Sequence, residues 1–161
     1  MSGNERIRAI IGAAVTLILF VGVPYMLPEY LPSNVAQLLA EVGFDLQGFI
    51  NEIMILGAVT AALTLAKGFA GKASPVSLLI NVAQDVASLV FIVILLGAGD
   101  VSSLGMSSFT FSLENTTNHI VMDFRVFVYV TVLTVALRVV EDYLDWDEAR
   151  IQAMPPGRIP P

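Results

Sequence analysis

The chain alternates between long apolar runs and short polar segments, and this pattern predicts four transmembrane helices. The predicted spans cover about residues 7–27, 48–67, 75–97 and 122–144. At ~1.5 Å of rise per residue, each is long enough to cross most or all of a ~30 Å hydrocarbon core. Composition agrees, because 56% of the 161 residues are hydrophobic and only 14% are charged. We therefore expect an all-α integral membrane protein with a single domain, residues 1–154.

Two connecting segments carry signals of their own. After the first span, Pro32-Ser33 and Gly43 bound a stretch with helical apolar spacing, which predicts a short interfacial helix. After the third span, alternation of phenylalanine with serine and threonine predicts a small extracellular β-hairpin at about residues 104–121. We expect its apolar face to rest on the interfacial helix or on a neighbouring subunit. The proline-rich residues 155–161 are expected to form a disordered tail.

The basic residues predict a direction of insertion. With a cytoplasmic N-terminus, four crossings leave seven of the eight Lys and Arg residues at or near the cytoplasm, and only Arg125 outside. We therefore expect a multi-pass protein of the cell membrane with both termini cytoplasmic. Arg125 is then a candidate partner for Glu52 near the outer surface. Asn115-Thr116-Thr117 would also lie outside, which makes Asn115 a candidate glycosylation site.

One carboxylate, Asp85, lies near the middle of the third span, where a charge is costly enough to need a reason. At ~100° per residue, the polar residues of this span fall on a single stripe. The members of this polar stripe are Ser77, Asn81, Gln84, Asp85 and Ser88. Beyond Ser88 the span has no polar side chain. Arg138 of the fourth span lies at an overlapping depth, so we predict an ion pair with Asp85, either direct or through Asn81 or water.

The polar stripe has two interpretations, which the sequence weighs about equally. Its side chains could hydrogen-bond across the helix bundle and fix the register of the helices. Alternatively, they could line a water-filled cytoplasmic vestibule that narrows to an apolar gate. Because the four helices of one chain cannot both bury their contacts and enclose an aqueous path, the second interpretation requires a homo-oligomer with the third span lining the pore.

The second span has a face of small residues at three- and four-residue spacing. Small side chains let membrane helices approach closely, so this face predicts helix packing rather than chemistry. Its members are Gly57, Ala61, Thr64 and Gly68.

These features favour a homo-oligomeric channel-like or pore-forming protein, with a non-catalytic accessory or scaffolding subunit of a larger membrane complex as the alternative. The chain has no cysteine and one histidine, His119, and no nucleophile, metal ligand set or cofactor motif accompanies Asp85. We therefore expect no enzyme, no metal and no cofactor. The net charge of −6 argues against nucleic-acid binding. The expected partners are the lipid bilayer, other copies of this chain and other membrane subunits.

Overall fold

The computed structural model describes residues 3–113 and 116–154. These residues are mostly helical, with one two-stranded antiparallel sheet. In chain order the elements are α1 (Gly3–Leu17), a π-helical turn (Ile18–Gly22), α2 (Val23–Tyr30), α3 (Ser33–Glu41), α4 (Leu46–Phe69), α5 (Pro75–Leu96), a 3-10 turn (Val101–Ser103), β1 (Met106–Leu113), β2 (Thr116–Asp123) and α6 (Arg125–Gln152). Asn115 and residues 155–161 lie outside the described residues, so their predicted roles stay predictions.

The first span is continuous through Pro24 because the helix widens just before it. The backbone N–H of Val23 donates to the carbonyl of Ile18, five residues back, which is the hydrogen bond of a π-helical turn. Such a turn accommodates the proline, which has no N–H to donate and would crowd a regular helix. The helix then ends at Tyr30, two residues before Pro32.

Within the described ranges, three helical segments are long and apolar enough to cross a membrane: Arg6–Tyr30, Leu46–Phe69 and Pro75–Leu96. They agree with the first three predicted spans to within a few residues. The fourth predicted span falls on α6, which is not one of these three segments. Arg138 and the acidic residues after it limit the uncharged stretch of α6 to residues 126–137, ~18 Å at ~1.5 Å per residue.

Side-chain caps fix where α4 and α5 begin. Asp45 Oδ1 accepts a 2.9 Å hydrogen bond from the backbone N–H of Gly48, and Ser74 Oγ accepts one of 3.2 Å from Val76. Each cap satisfies a backbone donor that has no partner within the helix. Pro75 occupies the first turn of α5, where its missing N–H costs nothing.

The β-hairpin lies two residues later in the chain than predicted. Its antiparallel register runs from Met106 opposite Asp123 to Leu113 opposite Thr116. Because strand pairing continues to Asp123, α6 begins at Arg125 instead of residue 122. The predicted hairpin is therefore present as an element, with both its end and the start of the next helix shifted.

The base of the hairpin contacts the end of α5 and the first turn of α6. Ser107 Oγ donates a 2.9 Å hydrogen bond to the carbonyl of Leu96 at the end of α5. A side chain on Gly105 would come within 2.8 Å of Val128 in the first turn of α6. An open cleft of about 730 Å³ lies between Glu41 at the end of α3, the two residues after it, and the β1 residues Ser108 and Thr110. The expected support of the apolar face by α3 or by a neighbouring subunit stays a prediction.

The long helices pack mainly in chain order, with the first span on α4, α4 on α5, and α5 on α6. Phe20 and Phe91 add an edge-to-face ring contact at 5.2 Å between the first span and α5. We call the end of the bundle at which α4 ends and α5 begins the Lys67 end, and the opposite end the hairpin end. At the Lys67 end, Trp146 Nε1 of α6 donates a 3.2 Å hydrogen bond to the carbonyl of Ala73.

Candidate functional site between helices α4, α5 and α6

The polar stripe of α5 turns toward the neighbouring helices along most of its length. Ser77 is buried, with 8% of its surface exposed, and Asn81, Gln84 and Asp85 are half-buried. Ser88 is exposed, unlike the other four members of the stripe. The sequence identified the stripe, and the structure shows which helices face it.

Gln84 connects α5 to α4. Its Nε2 donates a 3.1 Å hydrogen bond to Thr64 Oγ1, and the Thr64 hydroxyl in turn donates to the carbonyl of Thr60 at 2.9 Å. The Thr64 oxygen therefore acts as both donor and acceptor inside the bundle. Thr64 was predicted only as a packing residue, since a helical wheel cannot show which polar group on the next helix comes within reach.

Asn81 and Asp85 connect α5 to α6. Asn81 Nδ2 donates a 3.0 Å hydrogen bond to Asp142 Oδ1, and Arg138 Nη1 lies 3.8 Å from Asp85 Oδ1. The predicted ion pair is therefore present and direct. Its partners differ in environment, because the Arg138 side chain is 57% exposed and that of Asp85 only 14%. Asn81 does not bridge the pair, since its donor is directed to Asp142.

Two acceptors in this group are buried and have no hydrogen-bond partner: Asn81 Oδ1 and Asp85 Oδ2. Asp142 and Lys67 lie within electrostatic range of Asp85. Buried oxygen atoms nearly always accept a hydrogen bond from a protein donor or an ordered water, so these two oxygens need an explanation. A water molecule is a donor that suits both oxygens.

A polar cavity of about 430 Å³ opens beside these residues at the Lys67 end. Ser77 and Asn81 line it from α5, and Asp142 from α6. The other lining residues are Lys67, Lys72, Leu78, Asp145, Trp146, Glu148, Ala149 and Gln152. Asp142 was not among the residues predicted from the sequence. Its spacing of four residues from Arg138, which puts both on one face of α6, was the available signal.

The small-residue face of α4 packs against neighbouring helices. Gly57, Ala61 and Gly68 are buried, and Thr64 is half-buried. A side chain on Gly57 would come within 2.5 Å of Phe20 Cβ, and one on Gly12 would lie 3.5 Å from Thr64 Cγ2. These contacts place the first span directly on this face, as expected for small residues at helix crossings.

Arg125 does not pair with Glu52 as the sequence had led us to expect. Its Nη2 lies 2.6 Å from Asp123 Oδ2, and its backbone N–H donates to Asp123 Oδ1 at 3.0 Å. These hydrogen bonds lower the pKa of Asp123 from 3.8 to about 2. Asp123 and Arg125 are only two residues apart, so the short turn from β2 into α6 holds their side chains together. Glu52 Oε2 is buried without a hydrogen-bond partner.

The described part of the chain contains no group of three or more His, Cys, Asp or Glu side chains arranged to hold a metal ion. His119, on β2, has Nδ1 2.9 Å from Thr110 Oγ1 of the opposite strand. It therefore lies in the hairpin and not in the polar group between the helices.

No protein-family model matches the chain, and neither does any curated protein or solved structure. The fold itself defines the class: residues 3–113 and 116–154 form a mostly helical structure with three helices able to cross a membrane and a small two-stranded sheet. The site is a polar group within the apolar bundle, joined to a cavity at one end.

Proposed function

We propose that this chain is a channel-like protein of the cell membrane that works as a homo-oligomer, with α5 and α6 together lining a polar vestibule. One observation carries the proposal: the cavity of about 430 Å³ reaches Asn81, whose Oδ1 is buried and unpartnered, as is Asp85 Oδ2 one helical turn further in. Intramembrane ionisable groups that meet a water-accessible cavity are the usual mark of an ion or proton path. The proposal assigns the chain no catalytic step.

A fourth crossing by α6 supports this arrangement. Val126, Val130, Leu133 and Leu137 are each more than half exposed on the side of α6 that does not contact α5. An apolar strip on a helix packed along a spanning helix is stable only when lipid or another subunit covers it. Arg138 meets Asp85 on α5, so its charge does not face lipid alone. We infer that the helix crosses with its charged residues near one membrane surface.

The orientation follows from the same crossing. If α6 spans the bilayer, six of the seven basic residues in the described part of the chain lie toward the Lys67 end, and Arg125 alone lies toward the hairpin end. The positive-inside bias then assigns the Lys67 end to the cytoplasm. Both termini are then cytoplasmic, and the hairpin is extracellular. We use the name vestibule for the cavity of about 430 Å³ that Ser77, Asn81 and Asp142 line. In this orientation the vestibule opens to the cytoplasm.

The apolar part of α5 supplies the barrier in this proposal. From Leu89 to Leu96 the helix has no polar side chain, and Val93 and Ile94 are buried. A polar vestibule that ends at an apolar constriction is the layout of a pore gated by dewetting. Because Gln84 is bonded to Thr64, the polar stripe of α5 is not free to face a central lumen by itself. The lining is therefore assigned to α5 and α6 jointly.

A flux measurement on proteoliposomes tests the proposal. The wild-type protein should dissipate a proton or potassium gradient, and Asn81→Leu should reduce the flux at least tenfold by placing an apolar group in the vestibule. Asn51→Leu makes the same chemical change at an exposed position of α4 and should leave the flux unchanged. Native mass spectrometry should show a closed oligomer. A strictly monomeric protein that passes no ions under any applied potential or tension would contradict the proposal.

The second candidate function is a non-catalytic accessory subunit of a larger membrane complex. It is favoured by the internal pairing of the stripe, since Asn81, Gln84 and Asp85 all have a partner on α4 or α6. Polar residues used in this way fix helix register and need no water path. Purification from native membranes in mild detergent discriminates the two. A stoichiometric unrelated membrane protein would support the accessory role, and self-association alone would count against it.

A further inference from the structure

The Lys67 end contains a second cavity, of about 400 Å³, which shares Lys67, Lys72 and Ser77 with the first cavity, the vestibule. Three cations line it, each from a different segment: Arg8 from α1, Lys67 from the last turn of α4, and Lys72 from the connection between α4 and α5. Ser77 and Thr64 add hydroxyl groups. The remaining lining residues are Ala9, Gly68 and Ala70.

The charge of this cavity differs from that of the vestibule. The vestibule shares Lys67 and Lys72 with it but also has Asp142, Asp145 and Glu148 in its wall. The described residues around the second cavity include cationic, hydroxyl-bearing and small side chains and no carboxylate. A concave site with several cations and the Ser77 hydroxyl as a donor suits a phosphate group, whose oxygens accept hydrogen bonds and carry charge. The Thr64 hydroxyl already donates to the carbonyl of Thr60 and contributes only to the wall.

The cavity also lies beside the ends of two helices that are able to cross a membrane. The first of these segments begins at Arg6, two residues before Arg8, and the second ends at Phe69, next to Gly68. If both segments cross, the cavity is at the level of the lipid headgroups. Phe69 is 58% exposed, and the Arg6 guanidinium lies 5.9 Å from its ring centroid. An apolar surface therefore adjoins the cationic cavity, which suits a ligand with acyl chains below a phosphate.

We propose that this cavity binds the phosphate group of an anionic phospholipid. Basic pockets between membrane helices at the interface hold such headgroups, and each Lys or Arg near the surface contributes ~1 kcal/mol. Soluble phosphate shares the same chemistry, but the position of the cavity at the ends of two spans favours the lipid. The inference is independent of whether the chain conducts ions, since Arg8 does not line the vestibule.

Lipid binding by purified protein in detergent micelles tests the site. Native mass spectrometry would measure retention of phosphatidylglycerol and phosphatidylcholine by the wild type, by Arg8→Gln and by Arg6→Gln. We expect the wild type to prefer phosphatidylglycerol, and Arg8→Gln to weaken that binding about fivefold, because ~1 kcal/mol corresponds to about that factor. Arg6→Gln removes the same charge from the same helix end but outside the cavity lining, so its effect should be less than twofold.

Three results would overturn the proposal. Equal weakening by Arg6→Gln and Arg8→Gln would indicate general attraction to a basic surface instead of a site. Equal binding of the two lipids by the wild type would remove the preference for an anionic headgroup. Thermal stabilisation by inorganic phosphate alone, lost in Arg8→Gln, would assign the cavity to a soluble anion. If Arg8→Gln does not fold, Lys72→Gln replaces it, and Arg8→Lys should retain most of the binding.

Discussion

Asn81 on α5 donates a 3.0 Å hydrogen bond to Asp142 on α6. This bond joins the two helices on the Lys67 side of the apolar segment Leu89–Leu96. The Asn81 amide is half-buried, and so is Asp142, so water cannot replace the bond at full strength. The contact also sets the position of α6 along α5, next to the Asp85–Arg138 pair. Stability and the shape of the vestibule therefore depend on the same side chain.

Replacing Asn81 by Ala should lower the free energy of unfolding by about 0.5–2 kcal/mol, because the variant loses an interhelical hydrogen bond and leaves Asp142 without its donor. Denaturant titration in detergent micelles measures the change. The matched control is Asn51→Ala, at an exposed position of α4, which should stay within about 0.5 kcal/mol of the wild type. Equal effects of the two substitutions would show that the bond contributes nothing measurable.

The sequence could predict this face of α5 but not its partners. Helical periodicity placed Ser77, Asn81, Gln84 and Asp85 on one stripe, and the structure places these four in the bundle interior. Which neighbouring group each one meets depends on the rotation and axial shift of α4 and α6, and a single helix carries no information on either. The bond from Gln84 to Thr64 was therefore not foreseen.

The sequence also predicts some helix and strand boundaries better than others. Span lengths follow from apolar runs, and the first three agree with the structure. The junction of β2 and α6 was misplaced because Ile120, Val121 and Met122 are apolar residues that suit either the end of a strand or the start of a membrane span. Asp123 decides the junction locally, through its hydrogen bond to the backbone N–H of Arg125.

The Asp85–Arg138 pair should respond asymmetrically to the loss of either partner. Arg138→Gln leaves a carboxylate that is 14% exposed without its counter-charge, whereas Asp85→Asn leaves an arginine that is 57% exposed. Desolvation penalises an unpaired charge more when it is buried, so Arg138→Gln should be the more destabilising change. The double variant should show a coupling of about 0.5–1 kcal/mol in a mutant cycle measured by unfolding in detergent. Strict additivity would mean that the 3.8 Å contact carries no energy.

The contact of Gly57 with Phe20 predicts a steric effect in the first helix crossing. Gly57→Ala places a methyl group about 2.5 Å from Phe20 Cβ, so one helix must shift. We expect a loss of about 1–3 kcal/mol of stability from this overpacking. Gly71→Ala is the control, because no atom of the residues that the structure describes lies within 4 Å of a side chain there. The thermal unfolding midpoint in detergent should fall for the first variant and not for the second.

The pH dependence of the hairpin end should follow Asp123. Hydrogen bonds from Arg125 hold the pKa of Asp123 at about 2, below its ordinary value of 3.8. A carboxyl group with a lowered folded-state pKa stabilises the fold above its ordinary pKa, and this stabilisation is lost as the pH falls toward 2. A carboxyl carbon titration by NMR should give a midpoint near 2 for the wild type. In Arg125→Gln the midpoint should return toward 3.8, and an unchanged midpoint would contradict the assigned cause.

The crossing of α6 can be tested with single cysteines, since the natural chain has none. A cysteine at Glu148, at the Lys67 end, and one at Ser102, at the hairpin end, should react with an impermeant maleimide from opposite sides of the membrane. A cysteine at Leu133, which is 63% exposed in the isolated chain, should react only after detergent is added, because lipid or another subunit covers it. Since α5 separates Ser102 from the Lys67 end, labelling of Ser102 and Glu148 from the same side would mean that α6 does not cross.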